Sequence, residues 1–195
     1  MRSVKKYINE EPLKSSFLSC EKDTELILRK LFVESEPYSD ELKRLLLINT
    51  KDCLDDRNNP AYIEKIQSTS VADLMDQGYI RLSPTLMFQE NEGVKSYIII
   101  SFDEFSRVDE GTYFRDCIIE IDIVCNMQQW DLGNFRQRPL KIMGYIDGIL
   151  NESKLTGIGT INFLSAKEIV LSEELAGYCL MYKAYHGNDD KIEGE

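Results

Sequence analysis

The sequence predicts an α+β fold: a mostly antiparallel sheet packed with helices, in β-β-β-α-β-β order, after an N-terminal helical extension. Three observations lead to it. Leucine-rich helical periodicity is confined to the first part of the chain. From Tyr79 onwards, isoleucine-rich and aromatic runs alternate with polar positions, as strands with one buried face do. A long apolar helical arc follows Pro139, between the third and fourth of these runs.

Length and composition indicate a globular protein. The chain has 195 residues, of which 43% are hydrophobic and 29% charged, and this length allows a sizeable core. We expect a helical extension over residues 1–78, an α/β domain over 79–186 and an acidic flexible tail over 187–195. The net charge of −11 disfavours tight nucleic-acid binding, because the mean surface field repels phosphates.

Cysteine usage and targeting signals indicate a cytosolic protein. The five cysteines are widely spread, without a C-x-x-C pair or a nearby histidine, which predicts reduced and mostly buried thiols. The N-terminus lacks the apolar segment of a signal peptide. No apolar run approaches the roughly 20 residues that a membrane helix needs, so we expect no membrane association.

Three helices are predicted before the first strand. Asp23 is expected to cap the first of them and Ser39 the second. The third covers residues 70–77 and is stopped by Gly78, at a position where a left-handed cap is commonly needed. Their leucine stripes predict core packing rather than a groove for a partner.

The strands are predicted from period-two patterns. In the third, isoleucines share one face with Cys125 while Glu120 and Asp122 lie on the other, so helices should cover the isoleucine face. Residues 106–115 are too many for a tight turn and should project as a long hairpin loop. The predicted strands are 79–88, 96–105, 117–125, 160–164 and 177–185, with 166–171 either a strand or an irregular connection.

The helix that begins near Pro139 has two distinct sides. Proline is suited to the first helical turn, and the apolar arc that follows it would cover the sheet. Gly144 and Gly148 lie on the opposite side, where the missing side chains permit close approach by a neighbouring element or subunit.

Catalytic patterns are weak. The single histidine, His186, cannot support a histidine metal cluster and is poorly placed for a catalytic triad. Glu120 and Asp122 share a strand face that Asp103 could join, as in a magnesium-dependent nuclease, but a solvated outer face explains them equally well. We therefore predict no enzyme, no catalytic or metal site and no cofactor, with a nuclease as the remaining enzymatic alternative.

The connection over residues 127–138 has the composition of an interaction surface. It holds the only tryptophan, a phenylalanine, a methionine and two arginines, residue types favoured at interface hot spots. Alternatively, the tryptophan packs against its own core. Exposed arginines of an acidic chain could meet the acidic surface of the next copy in a heterologous contact that closes a ring. The candidate contact residues are Arg107, Arg115, Trp130, Phe135, Arg136 and Arg138.

This hypothesis makes a mutational prediction. Replacing Arg136 and Arg138 with glutamate is expected to abolish ring assembly while leaving the monomer folded.

The pattern of residues 117–125, the Arg138-Pro139 entry to the helix that ends at Asn151, and the run 155–164 before 177–182 resemble the tail terminator family of tailed bacteriophages. The likeness covers residues 79–186. It implies a non-enzymatic virion protein, assembled in the host cytoplasm, whose α/β subunits form a hexameric ring at the neck. Such a ring ends the tail tube, meets the tail tube protein and the head-to-tail connector protein, and passes DNA through its lumen without specific binding.

Other functions stay open at this point. A head-to-tail adaptor or stopper would share the structural role but typically forms a twelvefold ring. A bacterial cytosolic interaction domain without any virion would also fit the composition.

Overall fold

A computed structural model describes residues 17, 20–83, 94–107, 115–155 and 159–186. Its helices are α1 (Cys20–Phe32), α2 (Tyr38–Leu47), α3 (Pro60–Ser68), α4 (Val71–Asp76) and α5 (Arg138–Leu150). Its strands are β1 (Ile80–Arg81), β2 (Ser96–Arg107), β3 (Arg115–Asn126), β4 (Lys154–Leu155), β5 (Gly159–Thr160), β6 (Asn162–Val170) and β7 (Leu175–His186).

The main sheet has five strands in the order β1-β2-β3-β7-β6. Adjacent strands of this sheet are antiparallel, except β1 and β2, which are parallel. The short strands β4 and β5 form a separate antiparallel pair. The α+β class, the largely antiparallel sheet and the preceding helices are therefore confirmed, with the small β4–β5 pair as an addition.

Helix α5 covers the isoleucine face of the sheet, as predicted. Ile119, Ile121 and Ile123 of β3 are fully buried in the same cluster as Ile142 and Ile146 of α5. Full burial of one such side chain is worth roughly 1.5–3 kcal/mol, so this layer is a main source of stability.

The N-terminal helices join the same hydrophobic core. Leu31 of α1, Leu42 of α2 and Leu74 of α4 are fully buried in the cluster that contains the sheet isoleucines. In the structure, residues on both sides of position 78 pack into this one core. The division of the chain at that position stays a prediction.

Two residues that were predicted to cap helices lie inside those helices instead. Asp23 lies inside α1 and is buried, because the helix begins three residues earlier at Cys20. Helix α2 follows Pro37, and the Ser39 hydroxyl accepts a hydrogen bond from the Ser35 N–H at 3.2 Å from within the first turn.

Helix α4 has the predicted start and end. Ser70 accepts from the Asp73 N–H at 3.1 Å while the Asp73 carboxylate accepts from the Ser70 N–H at 2.8 Å, a reciprocal capping box. Gly78 follows with φ of 76°, the left-handed conformation expected of it.

Helix α3 was not predicted, although the sequence carries its signal. The Asn59 side chain accepts from the Ala61 N–H at 3.1 Å, and Pro60 takes the first helical position.

The strand bounds differ from the prediction in two places. Of the first predicted strand, Ile80–Arg81 is a strand within the described residues 79–83, and residues 84–88 lie outside the described part of the chain. The runs 160–164 and 166–171 belong largely to one strand, β6, because an irregularity between Phe163 and Ser165 interrupts its alternation without ending its pairing to β7. The predicted loop tip at 108–114 and the tail at 187–195 lie outside the described residues.

The cysteine prediction is confirmed. None of the five cysteines forms a disulfide, and all except the half-buried Cys20 are buried. Burial raises the pKa of Cys117 to about 12 and that of Cys125 to about 11, so both stay protonated near neutral pH and are poor nucleophiles. Within the described ranges, the helices are too short or too polar to cross a bilayer.

Candidate functional site

The candidate site is the connection between β3 and α5, called here the β3–α5 loop (residues 127–137). It starts with a 3-10 turn, Met127–Gln129, in which the Asn126 side chain accepts from the Gln128 N–H at 2.9 Å. It ends at the first turn of α5. The side chains that sequence analysis selected in this loop have different environments.

Arg138 is fully buried and has an internal role. Its guanidinium donates hydrogen bonds to four backbone carbonyl oxygens: those of Gln129, Leu45, Ile48 and Thr50. It therefore ties the C-terminal end of α2 and the residues after it to the β3–α5 loop.

This position corrects the expectation for Arg138. Its donors are all directed into the protein, so it is not available to a partner. Glutamate there would place a carboxylate against carbonyl oxygens in a buried site, and the double glutamate replacement is expected to unfold the monomer.

Arg136 is also engaged within the chain. It forms a bidentate ion pair with Asp55, at 2.8 Å from Nη1 and 2.6 Å from Nη2, and it donates to the carbonyls of Gly133 and Leu132. The Arg136 hydrogen bond lowers the pKa of the Asp55 carboxyl. The side chain stays 23% exposed, so a contact with a partner stays a prediction for this residue.

Trp130 packs on its own protein, which is the alternative that sequence analysis left open. It is half-buried against the main core. Its carbonyl accepts from the backbone N–H of Arg138 at 2.8 Å, which fixes the end of the loop to the start of α5.

Phe135 lies in the opposite kind of environment, because its side chain is completely exposed at 107% relative accessibility. Its φ is 62°, and Asn134 and Gly133 before it have φ values of 52° and 71°. Left-handed backbone is uncommon for non-glycine residues and costs of order 1–3 kcal/mol in the less populated cases. The chain thus uses an unfavourable conformation to hold a large apolar side chain in solvent.

Local hydrogen bonds stabilise this conformation. Asp131 forms an isolated bridge with Gln137, and its carboxylate accepts from the Gly133 N–H at 2.8 Å and pairs with Lys51 at 2.8 Å. The backbones of Gly133 and Arg136 are also joined, N–H of Arg136 to O of Gly133, at 2.9 Å. Phe135 is therefore presented by a braced turn.

Arg107 and Arg115 lie at the far end of the β2–β3 hairpin. Their backbones are paired across the two strands. Their suggested role in contacts between copies stays a prediction.

The outer side of α5 forms a shallow groove. A Cβ built on Gly144 or Gly148 would meet no atom within 4 Å. The groove has a volume of about 420 Å³, and its other lining residues are Tyr38, Leu140, Lys141 and Tyr145. The open side predicted for the two glycines is present.

A larger groove lies between α1, α4 and the start of the sheet; we call it the α1–α4 groove. Its volume is about 640 Å³. Three apolar side chains in it, Val33, Met75 and Leu82, are 54%, 36% and 43% exposed. The leucine stripes and strand patterns did not predict it, since it depends on how helices distant in sequence pack together. Its other lining residues include Cys20, Leu28, Val71, Ala72 and Phe102.

The acidic strand face contains one compact cluster. Ligand atoms of Glu120, Asp122 and Cys179 lie within 4.8 Å of one another. Burial raises the pKa of Asp122 and raises that of the Cys179 thiol to about 12. A protonated thiol is a poor partner for Mg²⁺, which prefers oxygen ligands. Asp103 lines one pocket of about 450 Å³ together with Glu120 and Asp122, but it is not among the three residues whose ligand atoms lie within 4.8 Å of one another.

Comparison with known proteins gives a family and two distant structural likenesses. The model of the YomW family matches residues 39–184. A chain in the virion of a native gene transfer agent particle is 11% identical, with a TM-score of 0.39 over 63% of this chain and 88% of that chain. A crystal structure from Akkermansia muciniphila is 11% identical, with a TM-score of 0.32 over 92% and 100%. A search of curated proteins found no significant match.

Proposed function

Because this chain belongs to the YomW family, a family of phage type, we propose that it is a structural protein of a phage virion. More specifically, we propose a ring at the neck that ends the tail tube and joins it to the head-to-tail connector.

The observation that carries an assembly role is the exposure of Phe135 on a braced turn. Large apolar side chains in solvent, held by a rigid backbone, are typical anchors of protein–protein contacts, because little conformational entropy is lost when they bind. Catalysis has no comparable support within the part of the chain that the structure describes. The strongest cluster there contains protonated Cys179 and a carboxyl, Asp122, with a raised pKa.

The neck position and the ring rest on the resemblance of residues 79–186 to tail terminators. An α+β unit with a single long helix across its sheet agrees with that resemblance. The proposed partners are further copies of this chain, forming a hexamer, together with the tail tube protein and the connector protein.

The acidic composition fits passage of DNA through such a ring. With a net charge of −11, a lumen wall of average composition repels phosphates, so the genome slides without binding specifically.

The test is native mass spectrometry of the purified protein over a range of salt concentrations, with negative-stain images of the same sample, both alone and with isolated tail tubes. We expect a sixfold ring with a central hole. A twelvefold ring would assign the protein to the connector class of adaptors and stoppers. A strict monomer that also fails to bind tail tubes would overturn the ring proposal.

A further inference from the structure

We propose that Glu120, Asp122 and Cys179 form a binding site for one thiophilic divalent cation, of which Zn²⁺ is the expected ion. The site lies on the acidic face of the main sheet, opposite the face that α5 covers. This inference goes beyond the proposed assembly role and does not depend on it. It also departs from the expectation of no metal site, because the sequence could not show that a cysteine lies beside the two carboxylates.

The strand register brings the three side chains together. Asp122 of β3 is paired directly with Cys179 of β7, so the two side chains share one face of the sheet. Glu120 lies two residues before Asp122 in the same strand and shares that face. Two carboxylate oxygens and one sulfur thus lie within 4.8 Å of one another. Because β3 and β7 are interior strands of the sheet, the ligands are carried by rigid elements.

These separations fit a tetrahedral ion. With Zn–O of about 2.1 Å and Zn–S of about 2.3 Å, tetrahedral ligand atoms lie about 3.6 Å apart. The upper limit of 4.8 Å in the cluster exceeds that distance by little more than an ångström, which rotation of the carboxylate side chains can close. Three protein ligands leave a fourth position for water. Glu120 and Asp122 are partly exposed, so water and the ion have a path to it.

The two carboxylates of the cluster have no cationic partner in an ion pair. Among the described residues, no ion pair includes Glu120 or Asp122, whereas Asp116 on the same face of β3 is paired with Lys183 at 2.6 Å. Lys167 on β6, the strand beside β7, is exposed and makes no ion pair with either carboxylate. Neighbouring carboxylates that are partly buried repel one another, so a divalent cation between them would stabilise both.

The thiol determines which kind of ion fits. Cys179 is completely buried, and it is hydrogen-bonded to the side chains of Asp122 and Glu120. Coordination would break the S–H bond, form a bond from sulfur to the metal and give the proton to solvent. A thiolate together with carboxylate oxygens suits Zn²⁺, whereas Mg²⁺ and Ca²⁺ prefer oxygen ligands alone.

Titration of the chelator-treated protein with Zn²⁺ and with Co²⁺ tests the site. We expect one ion to bind per chain. Bound Co²⁺ should show a sulfur-to-metal charge-transfer band in the near ultraviolet, which reports coordination by the thiolate. Calorimetry of Zn²⁺ binding in buffers of different ionisation enthalpy should show release of about one proton per ion.

Removal of single ligands identifies the residues. Cys179→Ala should abolish the charge-transfer band, and both Cys179→Ala and Glu120→Gln should lower Zn²⁺ affinity by at least about tenfold. Glu120 is partly exposed, so Glu120→Gln tests the site without changing the core. The matched controls are Cys53→Ala, which removes an equally buried thiol after α2, and Asp116→Asn, which removes a carboxylate from the same strand face. Both controls should leave Zn²⁺ affinity unchanged.

Thermal unfolding gives a second readout that does not depend on cobalt. An ion that binds only the folded state raises the melting temperature. Zn²⁺ should therefore raise the melting temperature of the wild type and of Cys53→Ala, and it should have no such effect on Glu120→Gln.

The outcomes separate this inference from the proposed function. Failure of the wild type to bind Zn²⁺ and Co²⁺ overturns the metal site, and so does binding that survives in both Cys179→Ala and Glu120→Gln. Binding of Mg²⁺ as tight as that of Zn²⁺, without a charge-transfer band, also overturns it. None of these results affects the ring, and a protein that forms no ring by native mass spectrometry leaves the metal site standing.

Discussion

Arg138 shows how one buried cation can organise a connection. Its four carbonyl acceptors come from α2, from the chain after α2 and from the β3–α5 loop. Charge-assisted hydrogen bonds in a buried site are worth more than neutral ones, and removal of the donor leaves the acceptors without partners.

We therefore predict that Arg138→Met lowers the free energy of unfolding by about 2–4 kcal/mol, measured by urea denaturation. The matched control is Arg136→Gln, whose ion pair with Asp55 is partly exposed and should contribute far less. Equal losses in the two variants would contradict the assignment of the main structural role to Arg138.

The difference between these two arginines could not be predicted from the sequence. They are two residues apart, yet two partners of Arg138, Leu45 in α2 and Ile48 directly after it, lie 93 and 90 residues away in the chain. Local composition identified the β3–α5 loop as unusual, and it selected Phe135, which is exposed. It could not show which arginine would be enclosed by a distant helix end.

Asp122 should make stability depend on pH. Burial is the main cause of its raised pKa; Glu120 adds to the rise, while the Cys179 hydrogen bond and Lys167 oppose it. A carboxyl whose folded-state pKa is raised stabilises the fold at low pH, and this contribution is lost as the pH rises through the folded pKa.

Asp122→Asn should therefore be more stable than the wild type at pH 7. The difference in stability should disappear as the pH falls below the ordinary pKa of an aspartate side chain. Melting temperatures measured from pH 3.5 to pH 8 provide the test. A difference that is constant across this range would show that the variant acts through packing rather than ionisation.

At the scale of elements, alanine substitutions at two glycines are expected to change stability in opposite directions. A Cβ on Gly177 of β7 would lie 1.7 Å from the Ile123 carbonyl oxygen, so the two central strands approach where a side chain cannot fit. On the outer side of α5, a Cβ on Gly144 would meet nothing within 4 Å.

We expect Gly177→Ala to destabilise the protein by at least about 3 kcal/mol, because a backbone atom must move. Gly144→Ala should stabilise it by about 0.5–1 kcal/mol, since alanine is the better helix former. Thermal unfolding of both variants measures the effects. Destabilisation by Gly144→Ala would mean that the helix needs its glycine for a reason within the monomer.

Elements with local signals were the predictable ones. The start of α4 at Ser70 and the proline at the first turn of α5 are set by side chains that bond or fit their own backbone. Asp23 was misassigned because the same residue type can cap a helix or lie buried inside one, and only the tertiary contacts of α1 decide between these. Strand β6 was divided because its irregularity after Phe163 disturbs the alternation on which the prediction depended.

At the scale of the whole molecule, charge and apolar exposure act in opposite directions on assembly. Copies with a net charge of −11 repel one another, and this repulsion extends over a Debye length of about 10 Å at 0.1 M salt and about 3 Å at 1 M. The arginines first expected to overcome it, Arg136 and Arg138, are engaged within the monomer. An apolar contact through Phe135 is then the main attraction that the proposed ring has available.

This balance predicts that added salt strengthens assembly. Raising sodium chloride from 50 mM to 500 mM screens the repulsion and leaves the burial of Phe135 unaffected or slightly favoured, so the sedimentation coefficient of the wild type should shift toward the ring. Phe135→Ala should show no comparable shift, because it lacks the attraction that screening reveals. Rings that dissociate as salt is added would instead indicate contacts dominated by ion pairs. Arg107 and Arg115, at the end of the β2–β3 hairpin, would then be the candidate residues for those contacts.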